Sequence, residues 1–394
     1  MRLRIAMVSE FAYPVLGGVS EHVHFLSREL AALGHDVTVV TSNVGDPAEA
    51  AELDRRAFTE HGYRTVRIGH SMPVVSNGSI SRVSVGLGMH PRMADVLRTV
   101  DVVHAQGLAP PTLPLFALRA TIAPVVVGTF HTYFDGGHWA YRLFFRYVKT
   151  ALSRMDRKIA VSDACVQALA PYFPGPYEII PNGIDTGLYR PLAPAESAPD
   201  GPPRILFVGR FDPRNALGDL LDAAALLRDE GREFVVQVVG DGPARRIYEQ
   251  RTRKLGLWDR VEWLGLLKEE RPRLYREATV FACPCVLASF GVVLLESLAS
   301  GTPVVCADNI GFRQVIRDGA PGRFVPPHDP AGLARGIAEV LDDDALRADW
   351  SVRGRRVTEE RFAWPQVARR VQDLYLEVLA EKGRLPRPAL ARSV

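Results

Sequence analysis

Short apolar runs alternate with helical periodicities along the whole chain, and partway through the series restarts. Alternation of this kind constrains the fold more than any single motif. A strand buried on both faces reads as an unbroken apolar run, and helices between such strands are the crossovers of a parallel sheet. Ile5–Val8, Asp36–Thr41, Thr65–Ile68, Val102–Ala105, Val125–Gly128 and Lys158–Val161 read as strands of a first series. Its helices are predicted over Ser20–Leu33, Pro91–Thr99, Gly137–Ser153 and Asp163–Tyr172. A second series runs through Arg204–Val208, Phe234–Val239, Val261–Leu264, Val280–Cys283, Pro303–Cys306 and Gly322–Val325. Between them, Pro191–Pro203 is rich in Pro, Ala and Gly and lacks periodicity, the composition of a linker. The predicted class is α/β, with two Rossmann-like domains over residues 1–190 and 204–362. An amphipathic helix follows within residues 363–381, and residues 382–394 form a disordered tail.

Composition narrows the function classes. The chain has 394 residues, 47% hydrophobic and 24% charged, enough for two sizeable cores. A net charge of +3 is too small to argue for nucleic acid. No stretch approaches the roughly 20 apolar residues of a membrane span. The start, Met1 to Arg4 and then Ile5–Val8, reads as a first strand because Glu10 cuts the apolar run short of a signal peptide. These features fit a cytoplasmic protein, at most peripheral on the inner face of the membrane. Cys165, Cys283, Cys285 and Cys306 sit in apolar surroundings without ligand spacing and read as core residues. Asp342, Asp343 and Asp344 fall between two polar helices and read as a junction and cap. No metal site and no cofactor are expected.

In a doubly wound sheet, ligands sit at the carboxyl ends of strands, facing backbone N–H groups at helix starts. Several motifs occupy such loops. Gly17-Gly18 follows the first strand and precedes a helix whose expected cap is Ser20, leaving room for a backbone to approach a phosphate. His131 ends the run Gly128-Thr129-Phe130-His131, just past a buried strand. Arg210 follows the first strand of the second series and would offer a planar fork of donors to a diphosphate, a surface salt bridge being the competing role. Gly240-Asp241-Gly242 reads first as a tight turn, and Asn77-Gly78-Ser79 as another. After Phe290-Gly291 a helix begins at Val292, and Glu296 near its start is also favourable to the helix dipole.

The motifs Ser289-Phe290-Gly291 with Glu296, Tyr13-Pro14 with Gly17-Gly18-Val19, and Thr129-Phe130-His131 together resemble the retaining, two-domain glycosyltransferases of family 4. That family has the GT-B fold and includes the phosphatidylinositol mannosyltransferases. The resemblance implies two Rossmann-like domains facing across a cleft, with the last helix crossing back to the first domain. It implies transfer of a hexose such as mannose from a GDP- or UDP-sugar to a lipid, polyol or glycan, with retention and without a metal. His131 would touch the donor sugar near the reacting carbon, Arg210 the diphosphate, and Glu296 the ribose hydroxyls. Gly17, Gly18, Gly240, Asp241, Phe290, Gly291 and Val292 complete the implied donor site, and Glu21, His22, Asn77 and Ser79 the acceptor side. Two positions depart from the pattern. Ala288 stands where the first of two paired glutamates is expected, and Asn215 where a lysine is. These departures define an alternative, a catalytically silent homologue that binds a nucleotide sugar or a partner protein. The segment Trp139–Lys158 mixes six cations with aromatics and would suit an anionic lipid surface, or form a solvated face over core aromatics.

Overall fold

The first strand, β1 (Arg4–Ser9), is buried from Ile5 to Ser9, as expected for a strand covered on both sides. The computed structural model describes residues 1–15, 17–76, 79–86, 88–108, 112–133, 143, 145–193, 196, 199–267, 269–316 and 321–384. Two units divide it: Met1–Gly183 with Trp364–Val394, and Ile184–Ala363.

In the first unit, β2 (Asp36–Asn43), β3 (Arg64–Ser76), β4 (Ser79–Val85), β5 (Val102–Gln106), β6 (Val125–Phe130), β7 (Arg157–Ala160) and β8 (Glu178–Ile179) join β1. Their order is β4-β3-β2-β1-β5-β6-β7-β8. Neighbours are parallel, with Ile5 level with Val37 and Val102, except that β4 runs antiparallel to β3. That edge hairpin is the one antiparallel pairing among the described strands. The predicted strand at Thr65–Ile68 is the start of a much longer β3, whose far half pairs with β4.

Helix α1 (Gly18–Ala32) buries Val23, Leu26 and Leu30, one face at helical spacing. It starts before its expected cap: Gly17 holds the N-cap position at φ 155°, and Ser20 lies inside the helix with a buried hydroxyl. Helix α2 (Pro47–His61) escapes the periodicity because only Ala50 and Ala57 are buried. Its ends hold it instead, Asp46 accepting from Ala48 N and Gly62 closing it at φ 74°. Helices α3 (Met89–Leu97), α4 (Leu113–Ala120), α5 (Phe145–Leu152) and α6 (Asp163–Leu169) complete the unit before the chain leaves it. The helix predicted over Gly137–Ser153 is described only from Phe145, since 134–142 and 144 lie outside the described residues.

The second unit has one parallel sheet, β11-β10-β9-β12-β13-β14, made of β9 (Arg204–Val208), β10 (Val235–Val239), β11 (Val261–Gly265), β12 (Val280–Cys283), β13 (Val304–Ala307) and β14 (Arg323–Val325). Helices α7 (Leu217–Asp229), α8 (Arg245–Lys254), α9 (Arg271–Glu277), α10 (Val292–Ala299), α11 (Pro330–Asp342) and α12 (Asp344–Val357) connect or cover its strands. Asp343 caps α12 by accepting from Leu346 N at 2.8 Å. The four cysteines are free and buried.

The last helix, α13 (Trp364–Glu381), belongs to the first unit. Val367, Val371, Leu374 and Val378 form its buried face and join the core of Ile5, Met7, Val23 and Leu26. Each such side chain contributes roughly 1.5–3 kcal/mol on burial. Gly183 is required where this helix begins: a Cβ there would fall 2.4 Å from the Trp364 ring.

In each sheet the connections reverse direction beside the unit's first strand, between β1 and β5 and between β9 and β12. These are the switch points where a doubly wound sheet opens a crevice.

Candidate functional site

At the first switch point, the loop after β1 ends on Gly17 and Gly18, and α1 then presents Glu21, half-buried, and His22, buried. Glu21 N donates to Gly17 O at 3.0 Å, which closes the first turn. Among the described residues nothing lies within 4 Å of where a Cβ would stand on Gly17 or Gly18. His131 follows directly on β6 and its ring meets that of His22 edge-on at 4.6 Å. Behind them, His22 Nδ1 lies 2.9 Å from Asn182 Oδ1, and His131 Nε2 lies 2.8 Å from Gln106 Oε1.

Burial sets the charge of this cluster. Desolvation pushes His22 down to about 4 and His131 well below the ordinary histidine value, the neighbouring rings adding to the effect on His131. Both imidazoles are therefore neutral at pH 7. Glu10, at the end of β1, is also buried, and desolvation raises its pKa. It accepts from Ser84 Oγ at 2.6 Å and from Leu113 N at 3.0 Å, tying the edge hairpin to the start of α4. Ser79 opens β4, and Asn77 lies outside the described residues.

At the second switch point, Arg210 follows β9 and is exposed. Among the described residues its guanidinium has no side-chain hydrogen bond or ion pair. Asn215 turns its amide inward, Nδ2 donating to Arg210 O at 2.8 Å, so it steadies the loop that carries Arg210. Gly240 is forced by close packing: at φ +140° its Cβ would stand 1.9 Å from Gly209 O. Asp241 accepts from Gly242 N at 2.8 Å and shapes the same turn.

The loop after β12 is pinned from below. A Cβ on Gly311 would stand 2.2 Å from Ala288 O, and buried Asn309 donates to Cys285 O at 2.8 Å. Phe290 is buried, Gly291 is the N-cap of α10 at φ +119°, and Val292 is the first helical residue. Glu296 is the fifth residue of α10, beyond the first turn, so the dipole role expected for it does not apply. It is 2% exposed and its Oε1 accepts from Arg271 at 2.8 Å and from Tyr189 Oη at 3.0 Å. Arg271 Nε in turn donates to Tyr189 Oη at 3.0 Å. A carboxylate this deep needs such a cation.

Sequence reasoning had not singled out Gln106, Asn182, Arg271 or Tyr189. One signal was available, the polar residues His104 and Gln106 inside the apolar strand Val102–Gln106, since a buried polar group is more informative than a buried apolar one. Of the six cations in Trp139–Lys158, Arg142 lies outside the described residues, Arg154 donates to Thr121 O at 2.7 Å, Lys158 donates to Pro174 O at 2.7 Å, Arg157 pairs with Glu381, and Arg146 and Lys149 are exposed. Among the described residues, no helix is long and apolar enough to cross a membrane, and no three His, Cys, Asp or Glu side chains group to hold a metal ion.

Two family descriptions match the chain in succession, Glycosyltransferase Family 4 over residues 16–188 and Glycosyl transferases group 1 over residues 191–357. A phosphatidyl-myo-inositol mannosyltransferase of Mycobacterium tuberculosis is 30% identical over 390 residues, covering 97% of this chain and 98% of the relative. A glycogen synthase of the same organism is also 30% identical, over 419 residues and 98% of both chains. Among solved structures, the HepE protein of Anabaena in complex with UDP superposes with a TM-score of 0.74 at 18% identity, covering 95% of this chain and 100% of that one.

Proposed function

The chain belongs to the two-domain glycosyltransferases of family 4 with the GT-B fold, and we propose that it moves a hexose from a nucleotide sugar to an acceptor with retained configuration. The donor in this reading is a GDP- or UDP-sugar, with mannose the first candidate, and the acceptor is a lipid, polyol or glycan. One observation carries it: the likeness to a mannosyltransferase runs through both domains, over 97% of the chain.

The roles follow from where the groups stand. Arg210, exposed and without a side-chain partner among the described residues, is assigned to the departing diphosphate together with the N–H groups that open α10. Glu296, held by Arg271 and Tyr189, is assigned to the ribose hydroxyls. His131 is assigned to the donor sugar, as a neutral group that hydrogen-bonds hydroxyls. Glu21, His22, Asn77 and Ser79 are assigned to the acceptor. Stabilisation of the leaving group and of an oxocarbenium-like sugar by preorganised groups is then the source of rate. Ala288 brings no carboxylate to that task, a loss that typically costs about 2–4 kcal/mol of barrier. Arg146 and Lys149 are proposed to meet anionic lipid on the cytoplasmic face.

Two measurements test this reading. Titration calorimetry with GDP, UDP and ADP should find one nucleotide that binds well above the others. The anomeric proton spectrum of the product should then match the donor's configuration. An inverted product would overturn retention, and binding without turnover would leave a silent nucleotide-sugar binder.

A further inference from the structure

Beneath His131 lies a chain of buried polar groups to which the proposed reaction gives no role. Gln106 and His104 stand at the end of β5, Thr129 on β6 and Tyr375 on α13, none more than 1% exposed. Polar groups that deep must pair donor with acceptor, and that requirement sets the direction of each bond. His104 Nδ1 lies 2.6 Å from Tyr375 Oη, and His104 Nε2 lies 2.6 Å from Thr129 Oγ1 and 3.2 Å from Gln106 Nε2.

Two arrangements of the Gln106 amide would satisfy these groups, and Met7 decides between them. Its sulfur, an acceptor only, lies 3.1 Å from Gln106 Nε2. The amide nitrogen therefore faces Met7 and His104, because the reversed amide would set its oxygen against the sulfur. With a donor facing it, His104 Nε2 is the bare nitrogen, and its proton sits on Nδ1 and is donated to Tyr375. Gln106 Oε1 is then the atom turned to His131 Nε2 at 2.8 Å. A carbonyl oxygen only accepts, so His131 donates from Nε2 and Nδ1 is bare.

We propose that Gln106 is a positioning residue, held by Met7, His104 and Tyr375, which fixes His131 as a single tautomer whose Nδ1 accepts from a hydroxyl-bearing ligand. Burial supports the neutral state of the rings, holding His104 down at about 3. His22 is set the same way: Asn182 Oδ1 takes its Nδ1 proton, and its buried Nε2 has no partner among the described residues. His131, only half-buried and with Asn182 as its second side-chain partner, thus offers a neutral acceptor suited to a sugar or polyol and indifferent to its charge, whereas His22 Nε2 is buried behind it. The ligand class rests on the proposed role of His131 at the donor sugar, whereas the tautomer belongs to the chain alone.

The test is a long-range proton–nitrogen spectrum of the full chain labelled with 15N-histidine, at pH 7 and without substrate. His131→Asn assigns the signal. The expected result is a protonated Nε2 and a bare Nδ1 on His131. Gln106→Leu should mix the two tautomers. Tyr375→Phe is the second variant if Gln106→Leu does not fold; it removes the acceptor for His104 and should shift the His131 proton toward Nδ1. A native proton on Nδ1, or a tautomer unchanged in both Gln106→Leu and Tyr375→Phe, would overturn the proposal. Because no substrate is present, a protein that turned over no sugar would still give a decisive spectrum.

Discussion

Arg210 and Glu296 are charged groups in opposite situations, one exposed and without a side-chain partner among the described residues, the other buried and paired. An unengaged cation loses no internal partner when a ligand arrives, so its removal should be felt in binding and not in folding. Arg210→Ala is expected to weaken nucleoside diphosphate binding by about 1.5–3 kcal/mol, the worth of a charge-assisted hydrogen bond. Calorimetry showing unchanged affinity would remove Arg210 from the site. For the neutral histidines the consequence is acid lability. His22 titrates near 4 in the folded chain against 6.5 ordinarily, so between those values the unfolded chain binds the extra proton. Stability should therefore be fully present above pH 6.5 and fall as pH drops toward 4, on the order of 2–3 kcal/mol for this ring. Urea midpoints across that range should show the fall, and His22→Gln should reduce it. Glu296 and His131 stand out in the sequence because each sits in a local motif. Their partners do not: Tyr189 lies 107 residues from Glu296 and Gln106 lies 25 from His131, and no local pattern encodes such a pairing.

Among the elements, the buried strands were legible because a strand covered on both faces leaves no polar alternation to confuse it. The misses have physical causes. Helix α2 exposes nearly all of its surface, so its apolar pattern is weak and its capping residues define it. The β3–β4 hairpin crosses Met72-Pro73, and an interior proline argues against a strand unless one side is free, as it is here beyond the last β2 pairing at His70. Helix α4 is apolar around most of its circumference and leaves no stripe to read. Glycine placement is tightest where β9 and β10 end. Gly240→Ala would drive a methyl group into Gly209 O at a backbone angle that favours glycine. A loss of about 2–4 kcal/mol is expected, with nucleotide binding reduced alongside it because the Arg210 loop moves too. Chemical denaturation and calorimetry on the same variant would check both.

At the scale of the molecule, one architecture occurs twice, and each copy gathers its polar groups at the strand ends beside its own switch point. The restart of the strand series after a Pro-rich stretch made that duplication readable. The return of α13 to the first unit rested on family resemblance, since amphipathic periodicity says that a helix is covered but not by what. Under the proposed function, activity turns on two departures from the family pattern, Ala288 without a carboxylate and Asn215 without a cation. The most direct measurement is release of nucleoside diphosphate from GDP-, UDP- and ADP-sugars with lipid, polyol and glycan acceptors, for the native chain and for Ala288→Glu. The account predicts release from one donor that depends on an acceptor, raised by up to about a hundredfold in Ala288→Glu. Tight binding of a nucleotide sugar with no release by either protein would contradict it.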